Sequence, residues 1–199
     1  MIIHEKQLLF IHIPKTAGTS IESLFYPNAK FVNVPYKHFT LKEYLDHIPI
    51  CRNYFKFTFV RNPWDLTASM YKYAWRKDDF SKTYPHLVNM SFNDWIRSSF
   101  FQSPVIRFVN IGTHGGRDGS FFDWFTDPRS EIDYIGKFET LQEDYDCICE
   151  TMGLPKSILP VVNKSFGVDY ADLYEEDTIE IVRKKYEREI RIFGYKFSS

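Results

Sequence analysis

A lysine, three hydroxyl side chains and a glycine follow a short apolar run near the start of the chain. The run is Gln7–Ile13, and the next residues are Pro14-Lys15-Thr16-Ala17-Gly18-Thr19-Ser20. Backbone N–H groups at the start of a helix lack helical partners and carry the positive end of the helix dipole. Small residues let a phosphate approach these groups, and Lys15 adds a full charge. The segment is therefore predicted to bind an anion, although an ordinary turn between a strand and a helix would also fit.

The order of residues in this segment differs from the Walker pattern of nucleotide-binding proteins. That pattern, G-x-x-x-x-G-K-[ST], has its lysine directly after the second glycine. Here Lys15 precedes Gly18 by three residues. An anion site of another kind is expected.

A second candidate site follows the aromatic run Tyr54–Val60. Arg61 comes directly after this run, and Ser69 lies eight residues further on, in a helix predicted to begin near Pro63. Arginine binds phosphate through paired hydrogen bonds. Ser69 falls on the predicted inward face, where its hydroxyl reaches either a ligand or a carbonyl one turn earlier. Each residue alone also fits a structural role, but the two loops together predict a ligand with two separated phosphate groups.

Strands and helices alternate along the chain. Strands are predicted at 7–13, 29–34, 54–60 and 134–138, and helices at 19–25, 40–47, about 62–76, 91–98, about 140–153 and about 177–193. This alternation favours an α/β fold with a mostly parallel sheet. Ligands of such sheets bind beyond the carboxyl ends of the strands, where both candidate loops lie.

Composition limits the classes of protein that remain. The 199 residues carry 25 Lys plus Arg and 26 Asp plus Glu, and 44% are hydrophobic. These values predict one domain spanning 1–199 and exclude a disordered chain, and the near-zero net charge argues against a protein that coats nucleic acid. No run approaches the about 18–20 apolar residues of a membrane-spanning helix. The three cysteines are an odd number, typical of a reducing compartment, so a cytoplasmic protein without a membrane partner is expected.

The two loops together resemble the carbohydrate sulfotransferases of the heparan sulfate 2-O-sulfotransferase type (sulfotransferase family 2). The segments that carry the resemblance are FIHIPKTAGTS and FTFVRNPWDLTASMYKY. It extends to Tyr134–Glu139 and to Asn163-Lys164-Ser165, and it is weak between about 76 and 130, the segment where the acceptor would be selected. On these grounds the expected fold is a P-loop-like three-layer sandwich with a central, mostly parallel sheet flanked by helices.

The resemblance implies a donor substrate, 3′-phosphoadenosine 5′-phosphosulfate (PAPS), and transfer of its sulfuryl group to an acceptor hydroxyl, with 3′-phosphoadenosine 5′-phosphate (PAP) as product. Lys15 matches the family's lysine at the 5′-phosphosulfate, and Arg61 and Ser69 match its 3′-phosphate residues. The donor-binding set implied is Lys15, Thr16, Ala17, Gly18, Thr19, Ser20, Arg61, Ser69, Lys164 and Ser165. The acceptor implied is a carbohydrate, and no metal is required.

Sulfuryl transfer needs a cation at the leaving oxygen and a base for the acceptor proton. Lys15 is the candidate for the first role. His38 is the favoured base because its position resembles that of the family's catalytic histidine, and histidine titrates near neutral pH. Glu22, one turn into the first helix, is the alternative base. His12 is expected to be a hydrogen-bonded histidine of the core.

Two other functions compete with this interpretation. An ATP-dependent kinase of nucleotides or small molecules would share the phosphate loop, but it needs the Walker order of Lys and Ser or Thr and an aspartate that binds magnesium. A non-catalytic nucleotide-binding module would keep the fold without turnover. Variants of Lys15 and His38 distinguish this module from an enzyme, because an enzyme would lose turnover even with the donor bound.

Overall fold

The computed structural model describes residues 1–26, 37–74, 85, 89–102, 120–160 and 169–197. The chain divides into two compact units, one formed by Met1–Arg61 with Phe121–Lys164 and the other by Asn62–Ser120 with Ser165–Ser199. The predicted strand at 29–34, Lys164 and Ser165 lie outside the described residues. That the whole chain acts as one domain stays a prediction.

In the described part of the first unit, four strands form a sheet in the order β1-β2-β3-β4. The strands are β1 (Ile2–Ile3), β2 (Leu8–Ile11), β3 (Phe55–Val60) and β4 (Tyr134–Lys137). β2 pairs in parallel with β3, and β3 with β4, whereas β1 is antiparallel to β2. The three parallel strands are those predicted, and β1 was missed because two residues give no periodic signal.

Helices α1 (Gly18–Phe25), α2 (Leu41–His47), α6 (Phe122–Phe125) and α7 (Leu141–Met152) belong to the same unit. Alternate residues of β2 and β3 point to one core face, since side chains alternate along a strand. The central members of this core are Leu8, Phe10, Ile21, Phe57, Phe59, Tyr145, Ile148 and Cys149. A mixed α/β fold with a mostly parallel sheet flanked by helices, consistent with a P-loop-like sandwich, is thus confirmed.

The sequence also predicts the ends of two helices, because Thr40 with Glu43 and Thr140 with Glu143 have the spacing of a capping box and Gly153 precedes Pro155. Thr40 accepts the N–H of Glu43, whose carboxylate accepts the N–H of Thr40, so α2 has the expected capping box. Thr140 is the N-cap residue of α7 as predicted, but its side chain makes no capping bond, because its hydroxyl donates to Asp144 at 2.7 Å. α7 ends as predicted at Gly153, which has a φ of 62°.

The second unit contains α3 (Pro63–Ala74), α4 (Phe92–Arg97), α5 (Ser99–Gln102), α8 (Glu176–Lys185) and α9 (Glu187–Phe193). The prediction of one continuous helix over 177–193 is wrong. Tyr186 separates α8 from α9, because its φ of −111° and ψ of 28° are not helical. A hydrogen bond joins α3 to α8, because the Trp64 indole donates to the carbonyl of Ile179 at 3.0 Å.

All three cysteines are free thiols in the described parts of the chain. Cys51 and Cys149 are buried, whereas Cys147 is exposed on α7. Among the described helices, none is both long and apolar enough to cross a bilayer.

Candidate active site

The loop between β2 and α1 contains two strained backbone positions. Lys15 has a φ of 67° and Ala17 a φ of 64°, so both are in the left-handed region. This conformation costs a non-glycine residue roughly 1–2 kcal/mol, and such strain is concentrated at ligand-binding sites. The Thr16 hydroxyl is buried and donates to the carbonyl of Ile13 at 2.8 Å, so this hydroxyl holds the turn. Of the predicted donor-binding residues here, Lys15, Ala17 and Thr19 are half-buried.

Gly18 begins α1 directly beneath the ring of His12. A Cβ atom at this position would lie 2.0 Å from Nε2 of His12. Any other residue would therefore displace the ring or the helix start. The glycine brings the first turn of α1, with its N–H groups, close to the end of β2. Ser20, in the same turn, is buried.

Arg61 links the ends of two parallel strands. It follows β3, and its guanidinium donates to the main-chain carbonyl of Lys15 at 2.9 Å. Its Cζ atom lies 3.9 Å from the centre of the Phe138 ring, just after β4. The residue is only 6% exposed. Arg61 thus fixes the loop between β2 and α1, which is a structural role. The same residue lies beside the predicted anion site.

Ser69 lies on α3, in the second unit. It is buried, as are Leu66 and Met70 on the same helix, so this face points inward as predicted. The hydroxyl of the neighbouring Thr67 donates back to the carbonyl of Pro63 at 2.8 Å.

His38 lies just before α2 and contacts the end of β2. Its Nδ1 is 3.2 Å from the main-chain carbonyl of His12. A carbonyl only accepts hydrogen bonds, so Nδ1 donates and the lone pair of the neutral ring lies on Nε2. Burial, with His12 as a second cause, lowers the pKa of His38 to about 2. His38 is half-buried, so the ring is neutral yet within reach of solvent.

A buried glutamate forms the centre of a polar cluster beside His38. Glu22 is fully buried, and its Oε1 accepts a 2.7 Å hydrogen bond from Nδ1 of His12. Its Oε2 pairs with the Lys37 ammonium at 2.7 Å. Burial acts to raise the pKa of Glu22, but His12 and Lys37 outweigh it and lower the value to about 2. Burial also lowers the pKa of His12, which is the hydrogen-bonded core histidine that was predicted.

The partnership of Glu22 with His12 and Lys37 was not predicted. Glu22 lies ten residues after His12 and fifteen before Lys37. No helical or strand periodicity joins these positions, because β2, α1 and the segment before α2 meet only in the folded chain. One feature of the sequence could have indicated a partner for Glu22. It is a glutamate in a helix that otherwise contains apolar and hydroxyl residues, and a charged residue buried in such a helix is normally paired.

Comparisons with known proteins identify the family of the chain. An uncharacterized protein of Archaeoglobus fulgidus is 28% identical over 121 residues, which cover 59% of this chain and 82% of that protein. No solved structure matches the chain. The sequence pattern of the sulfotransferase family matches residues 1–196, nearly the whole length. This match over nearly the whole length shows that the chain belongs to the sulfotransferase family.

Proposed function

We propose that this chain transfers the sulfuryl group of PAPS to a hydroxyl of a carbohydrate acceptor. Membership of the sulfotransferase family supports sulfuryl transfer in general. PAPS as donor and a carbohydrate as acceptor follow from the resemblance to the 2-O-sulfotransferase type. The observation that carries the proposal is the strained Lys15 loop, whose carbonyl is bound by Arg61.

The loop has the properties that a phosphosulfate requires. Two left-handed residues precede the first turn of α1, and Gly18 keeps that turn close to the strand end. The N–H groups of this turn and the Lys15 ammonium supply positive potential. Thr19 and Ser20 add hydroxyl groups in the same turn. We propose that these residues hold the 5′-phosphosulfate.

Arg61 is proposed to recognise the 3′-phosphate. A guanidinium presents its N–H donors in a planar fork that matches the geometry of a phosphate, and Arg61 lies directly after β3, in contact with the Lys15 loop. The proposed 3′-phosphate site also includes Ser69, Lys164 and Ser165. Their inclusion rests only on the resemblance to the family motif.

His38 is the proposed base. Its neutral ring carries a lone pair on Nε2 and is half-buried. Burial lowers the pKa of this ring, and the negative charge of the donor beside it would raise that pKa towards the range in which a base accepts a proton. Glu22, the alternative, is fully buried, and both of its oxygens contact cationic or N–H groups within the protein. An acceptor would have to displace these partners to reach the carboxylate. The geometry therefore favours His38.

In the proposed reaction, the acceptor oxygen forms a bond to sulfur as the bond from sulfur to the bridging oxygen of PAPS breaks. The acceptor proton passes to Nε2 of His38, and the negative charge that develops on the leaving PAP is stabilised by Lys15. In-line positioning and this charge stabilisation are the main sources of the rate enhancement expected.

Thermal denaturation with PAP, and separately with ADP plus magnesium, tests the donor. At about 100 times Kd a ligand adds roughly 2.7 kcal/mol, which raises Tm by roughly 5–10 °C for a chain of this size. PAP alone should produce this shift, and Lys15→Met should reduce it, whereas Lys42→Met on the exposed surface should not. An equal or larger shift with ADP and magnesium would favour a kinase. No shift with either would refute a nucleotide site.

A further inference from the structure

The carboxylate of Glu22 connects three separate segments of the first unit. Glu22 lies in α1, its Oε1 is bound to His12 after β2, and its Oε2 to Lys37 before α2. Lys37 is the residue next to His38. A single buried side chain thus fixes the strand end and the segment that contains the proposed base.

The hydrogen bonds in this cluster determine where the protons lie. An ionised carboxylate only accepts, so Nδ1 of His12 donates to Glu22. The carbonyl of the same histidine accepts from Nδ1 of His38. The two rings lie 4.5 Å apart. Glu22 fixes the His12 ring, against which the His38 ring packs, and the main-chain carbonyl of His12 holds the Nδ1–H of His38. A shift of residue 12 on loss of the Glu22 bond would therefore change both the position and the tautomer of His38.

We propose that Glu22 is a positioning residue that, through His12 and Lys37, holds His38 in the tautomer with its lone pair on Nε2. This inference rests on the proposed function only in taking His38 as the base. Glu22 itself touches no substrate in this scheme.

A merely structural ion pair would behave differently. Its loss would reduce stability, yet it would leave the tautomer of His38 and the step that this residue catalyses unchanged. Two variants separate these roles. Glu22→Gln keeps the shape but removes the charge, whereas Lys37→Met keeps the carboxylate and removes only its half-buried partner. Glu189→Gln, at a buried glutamate of the second unit, is the matched control.

The first test needs no activity. Long-range ¹⁵N–¹H spectra of histidine-labelled protein report which ring nitrogen carries the proton. In the unaltered chain and in Glu189→Gln, His38 should have its proton on Nδ1. In Glu22→Gln, signals of the other tautomer or of a mixture should appear, with a smaller change in Lys37→Met. An unchanged His38 tautomer in a folded Glu22→Gln protein would overturn the proposal. If Glu22→Gln does not fold, an unchanged His38 tautomer in Lys37→Met would overturn the proposal.

The second test uses sulfuryl transfer from PAPS. Glu22→Gln should lower kcat at least about tenfold, as expected when a base loses its orienting partner, while the PAP-induced shift in Tm is retained. In a His38→Ala background the same change should have no further effect on kcat. An additive effect would show that Glu22 acts independently of His38 and would overturn the proposal. Failure of the proposed function has a different signature, because PAP would then not raise Tm of the unaltered chain.

Discussion

The guanidinium of Arg61 donates a hydrogen bond to the main-chain carbonyl of Lys15, at 2.9 Å. A residue that follows β3 thus holds the strained loop that follows β2. Register explains the contact, because Ile11 of β2 is paired with Thr58 of β3 and the two strands are parallel. Both loops leave the same edge of the sheet. A substitution at Arg61 should therefore disturb the Lys15 loop as well as any anion bound there.

Arg61→Lys is expected to weaken PAP binding by roughly 10- to 100-fold, since a hydrogen bond to a charged group contributes about 1.5–3 kcal/mol. Lysine retains the charge but not the planar fork of donors. Isothermal titration calorimetry gives Kd directly. The matched control is Arg97→Lys, at a more exposed arginine paired with Asp177. Equal Kd values for Arg61→Lys and the unaltered chain would contradict this role.

Gly18→Ala should both destabilise the chain and weaken PAP binding. The added Cβ would meet Nε2 of His12 at 2.0 Å, and such overpacking typically costs about 1–3 kcal/mol. Gly153→Ala is the control, because nothing lies within 4 Å of its Cβ and only the left-handed backbone is strained. Thermal denaturation should show a lower Tm for both variants, but only Gly18→Ala should lose PAP affinity. If Gly18→Ala binds PAP normally, the turn is not part of the anion site.

His38→Ala should reduce sulfuryl transfer by roughly 10²- to 10⁴-fold, the usual contribution of a general base. The PAP-induced rise in Tm should remain, because the imidazole is proposed to act on the acceptor. His47→Ala, at an exposed histidine of α2, is the control for loss of a ring. Transfer is followed by mass spectrometry of a carbohydrate acceptor panel with PAPS. Full activity of His38→Ala would instead direct attention to Glu22 as the base.

The free energy of unfolding should decrease as the pH falls below about 6.5, the ordinary pKa of histidine. Burial lowers the pKa of His12 and of His38, so both rings stay neutral when folded at a pH where the unfolded chain takes up protons. Each such proton removes about 1.4 kcal/mol per pH unit, and the contribution is fully present above that pH. Glu22, with its pKa lowered to about 2, adds a further loss below about pH 4.5.

Urea titrations at stepwise pH between about 7 and 5 measure this slope. His38→Gln should reduce it, because one imidazole that is neutral in the folded state has been removed. His47→Gln serves as the control. A slope that is identical in His38→Gln and in the unaltered chain would refute the assignment of a neutral, half-buried His38.

Much of the fold followed from local sequence signals. The apolar run of β2 and the aromatic run of β3 gave the central parallel pair, and the spacing of Thr40 and Glu43 gave the start of α2. Local signals failed where tertiary contacts compete with them. Thr140 has the same spacing to Glu143, but its hydroxyl bonds Asp144, which also accepts the N–H of Lys137 and so joins β4 to α7.

The candidate site was predictable only in part. Lys15 and Arg61 were identifiable because loops after parallel strands bind ligands, but the bond between them depends on strand register. Glu22 was identified only as a possible base. Its contacts with His12 and Lys37 depend on three segments meeting in space, and sequence spacing does not encode such a meeting.

The three cysteines differ in burial, so the reactivity of their thiols can be used to measure unfolding of the chain. A thiol reagent can reach Cys147 in the folded protein, whereas Cys51 and Cys149 are shielded by the core. The number of thiols modified in a short pulse therefore changes from one to three as the chain unfolds. Because Cys149 belongs to the same core cluster as Phe10, Phe59 and Ile21, protection of this thiol monitors the core of the unit that contains the Lys15 loop.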